Sequence, residues 1–188
     1  PKVVVIENAP KYQTTKLYKN NILKALKDEG YSISEEVIQA ADYGADSDRR
    51  RLIVRAVRNG EVPPLPEKAG VTGDWYARVE ELVDAAPDTV IGEREMANIQ
   101  QGIKSGRLKA NLPIITMGTN KGSNRNAGSP APTLTSNLAR LKDGSIVSRA
   151  IARILMPNGS MKEVTPLMMA RIMNIPDGFS IGKMDINN

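Results

Sequence analysis

The stretch KVVVIENAP, from Lys2 to Pro10, places a carboxylate and an amide directly after four β-branched residues. The apolar run predicts a strand, so Glu7 and Asn8 stand at its carboxyl end, the edge where ligands bind in open α/β sheets. A carboxylate at that edge can handle a proton or hydrogen-bond the edge of a base. The alternative, from spacing alone, is that Glu7 and Asn8 only cap a turn.

Three consecutive arginines form a second candidate group, in the stretch DSDRRRLI. Alternation along a strand places Arg49 and Arg51 on one face and Arg50 on the other. Two guanidiniums beside the end of the Glu7 strand could bind a base carbonyl or a phosphate in a bidentate manner. The alternative is a solvated cluster that protects a sheet edge and pairs with the aspartates of the same stretch.

The loop GTNKGSNRNAG, from Gly118 to Gly128, is a third candidate. Its glycines allow close approach of the backbone, Asn124 and Arg125 suit hydrogen bonds to base edges, and Lys121 suits a phosphate. The P-loop pattern for nucleotide phosphates is absent from it. A flexible hairpin is the alternative.

Charge is segregated along the chain. The net charge is +5, yet residues 96–142 contain seven Lys and Arg and no Asp or Glu. This stretch is more basic than the chain as a whole, which is the pattern expected of a surface that binds a polyanion. A solvated basic face would have the same composition.

Composition excludes several chemistries for this chain. It contains no cysteine and no histidine, so it supplies neither a thiolate nucleophile nor a serine–histidine pair. No stretch is long and apolar enough to span a membrane, and the N-terminus lacks the layout of a signal peptide. We therefore expect a globular, cytoplasmic protein without a membrane partner.

A strand–helix–strand–strand order is predicted for the first 60 residues. Val3–Ile6 has the continuous apolar character of a strand buried on both faces of a parallel sheet. A helix with a threonine cap at position 14 or 15 should end at Gly30, and strands are expected at 32–39 and 52–57. This order indicates a doubly wound α/β unit, although the short turn between the last two strands favours an antiparallel pair.

The rest of the chain predicts a smaller and less regular region. The proline-rich stretch EVPPLPEKAG indicates a domain boundary, and strands are expected at 112–117 and 133–135 around the basic loop. Three helices are predicted, one with Trp75, Val79, Leu82 and Val83 on one face, one over EREMANIQQGIKSG, and one that begins at the N-cap Thr165 and buries Met168, Met169, Ile172 and Met173.

Taken in order, these stretches resemble the C-terminal half of the DNA cytosine-5 methyltransferases, particularly phage and prophage types. VVVIENAP resembles the family's Glu-Asn-Val motif, and ADYGADSDRRRLIV resembles its Gln-x-Arg-x-Arg motif. VTPLMMARIMNIPDGF is similar to the family stretch LTPRECARLQGFPDDF, and PAPTLTS precedes it in the family's order. The resemblance spans nearly the whole chain.

The resemblance implies roles for individual residues. Glu7 would contact N3 and the exocyclic amine of a cytosine flipped out of the duplex and assist its activation. Arg49 and Arg51 would hold cytosine O2 and neighbouring groups of the nucleophile loop. Thr133 matches a threonine near the DNA backbone, and the basic stretch from about Met96 to Leu134 takes the place of the target recognition domain.

Several family features are absent from this sequence. The catalytic Pro-Cys motif, the glycine-rich loop for S-adenosylmethionine and the acidic residue for its ribose precede the Glu-Asn motif in the family. The closing Gly-Asn-Ser/Ala-Val motif is also missing. Ser47 stands in place of the motif glutamine, and Met168 in place of a capping-box glutamate, which would cost the last helix a reciprocal cap. We therefore expect a chain that begins midway through a sheet, downstream of the nucleophile.

The sequence thus predicts a partial DNA (cytosine-5)-methyltransferase of α/β class. Residues 1–60 would form the C-terminal part of a Rossmann-like, S-adenosylmethionine-dependent methyltransferase sheet, residues 61–140 an irregular α+β target-recognition region, and residues 141–188 a return to the catalytic domain. The predicted catalytic residues are Glu7, Arg49 and Arg51. The predicted DNA-binding residues are Lys121, Asn124, Arg125 and Thr133.

The expected partners are double-stranded DNA and a second chain or N-terminal half that carries the cysteine and the S-adenosylmethionine site. This chain alone is expected to bind neither cofactor nor metal. The alternatives are a non-catalytic DNA-binding remnant and an α/β adaptor that binds protein or RNA. Because an inner strand without its upstream neighbour has one open edge, the isolated chain should be unstable or self-associate.

Overall fold

The computed structural model describes residues 1–70, 73–118, 123–134, 138–140, 146–148 and 152–176. The chain divides into two compact units, residues 1–44 with 48–71 and residues 45–47 with 72–188. Both contain helical segments and antiparallel strands, so the chain has mixed α and β structure, and the Rossmann-like methyltransferase sheet stays a prediction. The predicted division at residues 60 and 140 concerns functional regions and stays a prediction.

The first unit is a three-stranded antiparallel sheet with a helical segment packed on one face. The strands are β1 (Val3–Asn8), β2 (Tyr31–Gln39) and β3 (Arg50–Arg58), in the order β1–β3–β2. The connections contain a 3-10 turn (Pro10–Thr14), a π-helical stretch (Tyr18–Leu23), helix α1 (Lys24–Asp28) and a second 3-10 turn (Ala40–Tyr43). Because β1 and β2 both run antiparallel to β3, they share one direction without being neighbours.

The parallel, doubly buried strand predicted at Val3–Ile6 is wrong for the described residues. β1 pairs antiparallel with β3, and Val3 and Val5 are 56% and 65% exposed, whereas Val4 and Ile6 are half-buried. A run of four apolar residues places apolar side chains on both faces of a strand. It therefore does not show whether one face or both faces are buried. The antiparallel pairing of β2 with β3 is confirmed. No described strand pairs with the other edge of β1, and self-association stays a prediction.

Tyr18 lies at the centre of the core of the first unit. Thr15 Oγ1 accepts a hydrogen bond from the backbone N–H of Tyr18 at 3.2 Å, which confirms the predicted threonine cap. Tyr18 is fully buried against two β3 residues, Leu52 and Val54, and its hydroxyl donates to Glu35 Oε1 at 2.7 Å. Burial, followed by the hydrogen bond and the charge of Glu35, raises the pKa of the Tyr18 phenol well above its ordinary value.

We expect the chain to lose stability in alkaline solution through Tyr18. Because the folded state raises the pKa of this phenol, its contribution is complete below the ordinary tyrosine pKa of about 10 and is lost as the pH rises above it. The free energy of unfolding in urea should fall as the pH rises above about 10, and fall less in Tyr18→Phe. Tyr43→Phe, in the same unit, is the control. Identical pH slopes for the native chain and Tyr18→Phe would contradict this account.

The second unit contains a four-stranded antiparallel sheet in the order β5–β4–β8–β9 and a separate two-stranded ladder. The strands are β4 (Ile114–Thr116), β5 (Arg125–Asn126), β6 (Leu138–Arg140), β7 (Ile146–Ser148), β8 (Arg153–Leu155) and β9 (Met161–Glu163). The described helices of this unit are α2 (Glu80–Val83), α3 (Glu93–Lys104) and α4 (Pro166–Ile172).

The predicted strand at 133–135 is not the partner of β4. β4 pairs with β5 on one side and β8 on the other, and Thr133 lies outside any strand. Position 135 lies outside the described residues. Pro130 and Pro132, which lack the backbone N–H that a ladder needs, account for the absence of a strand up to Thr133.

The core of the second unit forms around Trp75. Trp75, Val79 and Val83 are at most 1% exposed and pack with Ile154 and Met168, which confirms the apolar face predicted for them. Trp75 Nε1 donates to the carbonyl of Asn126 at 2.9 Å, so the indole is both buried and hydrogen-bonded. The hydrogen bond connects Trp75 to the last residue of β5.

Helix α4 is capped as the sequence indicated, with one difference. Thr165 Oγ1 accepts from the N–H of Met168, and the N–H of Thr165 donates to the Met168 sulfur, both at 3.3 Å. The prediction that methionine removes the reciprocal cap is therefore wrong, since the thioether acts as a weak acceptor in place of a carboxylate. Met173 is 45% exposed, so its predicted core position is also wrong.

Gly73 lies where a side chain has no room. A Cβ at this position would stand 2.5 Å from both the carbonyl oxygen of Ala45 and the Cα of Asp46. We expect Gly73→Ala to lower the free energy of unfolding by about 1–3 kcal/mol, the usual range for overpacking. Gly92→Ala, where no atom lies within 4 Å, is the matched control. Equal stability of the two variants in urea denaturation would contradict the expectation.

None of the helices within the described ranges combines the length and the apolar character that crossing a lipid bilayer requires.

Candidate functional site

Glu7 and Arg51 meet on the face of the first sheet that lies opposite its helical segment. Glu7 pairs with Ile53 in the β1–β3 register, so Arg51 is its diagonal neighbour on the same face. Arg51 Nε lies 2.5 Å from Glu7 Oε1. The contact engages one carboxylate oxygen, and the Glu7 side chain stays 53% exposed. The pair therefore presents an oriented carboxylate to solvent at the carboxyl end of β1.

Asn8 caps the turn that follows β1, which is the alternative role that the sequence allowed for Glu7 and Asn8. Its Oδ1 accepts a hydrogen bond from the backbone N–H of Ala9 at 2.8 Å. Asn8 lies opposite Leu52, on the other face of the strand from Glu7. The turn interpretation therefore describes Asn8, whereas Glu7 is held by an arginine.

The other two arginines of the cluster are placed differently. β3 begins at Arg50, and Arg49 stands just before it, half-buried, with its carbonyl accepting from the N–H of Ala40 at 3.0 Å. Among the described contacts, the ion pair to Glu7 is made by Arg51 alone. Alternation predicted that Arg49 and Arg51 share a face, and because Arg49 lies just before β3, this stays a prediction.

A second ion pair on the same face provides a comparison. Arg55 Nη2 lies 2.8 Å and 3.0 Å from the two carboxylate oxygens of Glu36 and donates to Ser34 Oγ at 3.0 Å. Arg55 Nη1 donates to the carbonyl of Pro63 at 2.5 Å. Both oxygens of Glu36 are engaged within the protein, which is the arrangement expected of a structural pair. Glu7 differs because Arg51 engages only one of its oxygens.

The predicted DNA-binding residues occupy unlike environments. Lys121 lies outside the described residues. Asn124 is 0% exposed, and neither Oδ1 nor Nδ2 of its carboxamide has a hydrogen-bond partner. Arg125 is half-buried in β5 and donates through Nη1 to the carbonyl of Asn124 at 3.1 Å, and Thr133 is half-buried. The burial of Asn124 runs against the prediction that it contacts DNA.

Glu95 is a buried carboxylate that the sequence analysis did not single out. It is 5% exposed, and its Oε1 accepts from the Thr116 hydroxyl at 2.9 Å and from the N–H of Gly118 at 3.0 Å. Its Oε2 lies 3.2 Å from Arg153 Nη1. Glu95 therefore joins α3 to β4, to β8 and to the first residue of the basic loop. Its spacing of four residues from Ile99 places it on the buried face of α3, unlike its exposed neighbour Glu93.

Comparison with known proteins gives one family for the chain. A profile of the C-5 cytosine-specific DNA methylases matches residues 1–186. The type II methyltransferase M.NlaX of Neisseria lactamica is 26% identical over 165 residues, which cover 87% of this chain and 48% of that protein. The type II methyltransferase M.XorII of Xanthomonas oryzae pv. oryzae is 32% identical over 107 residues, 54% of this chain and 25% of that protein.

A third relative, the type II methylase M.HgiDII of Herpetosiphon aurantiacus, is 31% identical over 85 residues, 44% of this chain and 23% of that protein. The chain spans between about a quarter and about half the length of the relatives it matches. All three are bacterial proteins, so the likeness to phage and prophage members stays a prediction.

Proposed function

Because the chain belongs to the family of C-5 cytosine-specific DNA methylases, we propose that it supplies the cytosine-binding and DNA-binding side of a DNA (cytosine-5)-methyltransferase. The observation that carries this proposal is the Glu7–Arg51 ion pair, which holds a half-exposed carboxylate at the end of β1. The family motif that Glu7 matches is the one whose glutamate contacts cytosine. The type II relatives suggest a place in a restriction–modification system.

In this proposal Glu7 binds the flipped cytosine through the polar edge of the ring. Its carboxyl group accepts a hydrogen bond from the exocyclic amine and shares a proton with N3. Electron density then moves from the ring toward N3, which makes C6 more open to attack by a nucleophile. The Arg51 guanidinium fixes Oε1, so that the group facing the base has one orientation.

The roles of the two motif arginines differ in this proposal. Arg51 positions Glu7, because its Nε is bound to that carboxylate. Its Nη1 donates to the carbonyl of Arg50 at 2.8 Å, which further fixes the guanidinium. Arg49 is proposed to contact cytosine O2 or the nucleophile loop. It directly precedes β3 and lies two residues before Arg51 in the sequence.

DNA binding is assigned to the acid-free stretch. Residues 96–142 carry seven positive charges and no negative one, which favours a polyanion. Lys121, Arg125 and Thr133 are retained as proposed DNA contacts. Asn124 is not, because its side chain is buried.

The described residues do not fit S-adenosylmethionine, the methyl donor that the family implies for the complete enzyme. One cavity among them, of about 760 Å³, is lined mainly by charged and polar side chains and by no aromatic residue that could stack on adenine. Its two arginines are already paired, Arg78 with Asp46 and Arg171 with Glu81. We propose that the donor site and the thiolate, which a chain without cysteine cannot provide, belong to a second chain or to a preceding segment.

Reconstitution tests the proposed function. This chain would be mixed with a polypeptide that carries the family's Pro-Cys and glycine-rich motifs, and transfer of labelled methyl groups from S-adenosylmethionine to duplex DNA would be measured. We expect transfer by the mixture and none by either component alone. DNA binding by this chain without transfer in any mixture would identify it as a non-catalytic DNA-binding remnant instead.

A further inference from the structure

The segment that follows α3 has two exposed basic residues, one on each side of a buried leucine. Gly106, with a φ of 74°, reverses the chain after the helix. Leu108 is 4% exposed, and its N–H donates to the carbonyl of Gly102 at 3.0 Å. Its neighbours on either side, Arg107 and Lys109, are both exposed.

Asn126 fixes this segment to β5. Its Oδ1 accepts from the N–H of Lys109 at 2.8 Å, and its Nδ2 donates to the carbonyl of Lys109 at 2.9 Å. Arg107 Nη1 donates to the carbonyl of Asn124 at 3.2 Å, and Arg125 Nη1 donates to the same oxygen at 3.1 Å. Two guanidiniums therefore meet at one backbone carbonyl, and the backbone of Lys109 is fixed to Asn126 of the same strand.

Among the described residues, no carboxylate forms an ion pair with Arg107 or Lys109. The nearest acidic residue before them in the sequence, Glu95, is buried and paired with Arg153. The Arg107 and Arg125 guanidiniums place two like charges at one carbonyl, which favours the binding of an anion. The surface formed by Arg107, Lys109 and Arg125, here called the basic ridge, is therefore suited to a polyanion.

We propose that Arg107 and Lys109 of the basic ridge contact the phosphate backbone of DNA. This inference rests on the proposed function, which makes DNA the polyanion. Phosphate contacts position a protein on the duplex and carry no sequence information. The two residues should therefore contribute to the affinity for every duplex to a similar extent.

Salt dependence of DNA binding by the full chain tests this inference. The dissociation constant for duplexes of about 20 base pairs and unrelated sequence would be measured by fluorescence anisotropy at several salt concentrations. Each phosphate contact contributes about 0.9 to the slope of log K against log salt, so the double variant Arg107→Gln/Lys109→Gln should lower the slope by about 2. Arg94→Gln, an exposed cation between Glu93 and Glu95 on α3, is the matched control and should leave the slope unchanged.

The outcomes separate this inference from the function on which it rests. If the native chain binds DNA with a clear salt slope and the double variant keeps that slope, the basic ridge assignment is overturned and the proposed function stands. If the native chain shows no salt-dependent binding to any duplex, both the ridge and the assignment of DNA binding to this chain are overturned. Tighter binding to duplex RNA of the same sequence would also overturn the ridge as a DNA contact.

Discussion

Replacement of Glu7 by glutamine should slow methyl transfer in the reconstituted enzyme by about 10²–10⁴-fold, the usual contribution of a positioned proton-transfer group. Glutamine is close to glutamate in shape but cannot share a proton with cytosine N3. It also weakens the hold of Arg51, because the ion pair at Oε1 becomes a neutral contact. The rate of transfer at saturating DNA and donor is the quantity to measure.

Glu36→Gln is the matched control for this variant. Glu36 lies on the same face of the same sheet and pairs with Arg55 at 2.8 Å, so the change also removes one negative charge from an arginine of this face. We expect this variant to keep the native rate. Equal rates for Glu7→Gln and the native enzyme would show that Glu7 does not act on the base, and equal losses in both variants would indicate a general effect on the sheet.

Replacement of Glu95 by alanine should have the largest effect on stability, about 3–5 kcal/mol of unfolding free energy. The change leaves Arg153, whose side chain is 23% exposed, without its carboxylate. It also removes the acceptor for the fully buried hydroxyl of Thr116 and for the N–H of Gly118. Urea denaturation of the chain would measure the loss.

Two further variants test whether the loss of stability is specific to the buried carboxylate of Glu95. Glu93→Ala removes an exposed carboxylate two residues away on the same helix and should change the free energy of unfolding by less than about 0.5 kcal/mol. Glu95→Gln keeps an oxygen for Thr116 and Gly118 but loses the charge, so it should fall between the native chain and Glu95→Ala. A loss for Glu95→Ala no larger than that for Glu93→Ala would contradict the structural role of this carboxylate.

The sequence predicted elements best where local chemistry determines them. The strand expected at 32–39 is β2, Tyr31–Gln39, and the threonine caps at Thr15 and Thr165 are both present. The two caps depend on hydrogen bonds within a few residues, and β2 has a local composition typical of a strand, so neighbouring sequence contains the needed information. Glu7 and Arg51 form an ion pair although they are far apart in the sequence. Strand alternation placed Arg51 on one face of its strand, and the order of the motifs associated it with Glu7.

Three of the failures share a different cause, since each depends on what packs against a residue from far along the chain. Val3 and Val5 are exposed because no described element covers their face, and an apolar run alone does not reveal this. Asn124 is buried because β5 pairs with β4 and the segment carrying Arg107 folds over it. The position of Glu95 between Thr116 and Arg153 likewise follows from the sheet, and the helix pattern does not contain it.

We propose that this chain provides the cytosine-binding side of an enzyme that methylates carbon 5 of cytosine. The most direct measurement is mass spectrometry of nucleosides from duplex DNA treated with S-adenosylmethionine and the reconstituted components. The account predicts that 5-methylcytosine forms only when this chain and its partner are both present and is nearly abolished by Glu7→Gln. A methylated adenine or an N4-methylated cytosine as the product, or 5-methylcytosine formed equally well without this chain, would contradict it.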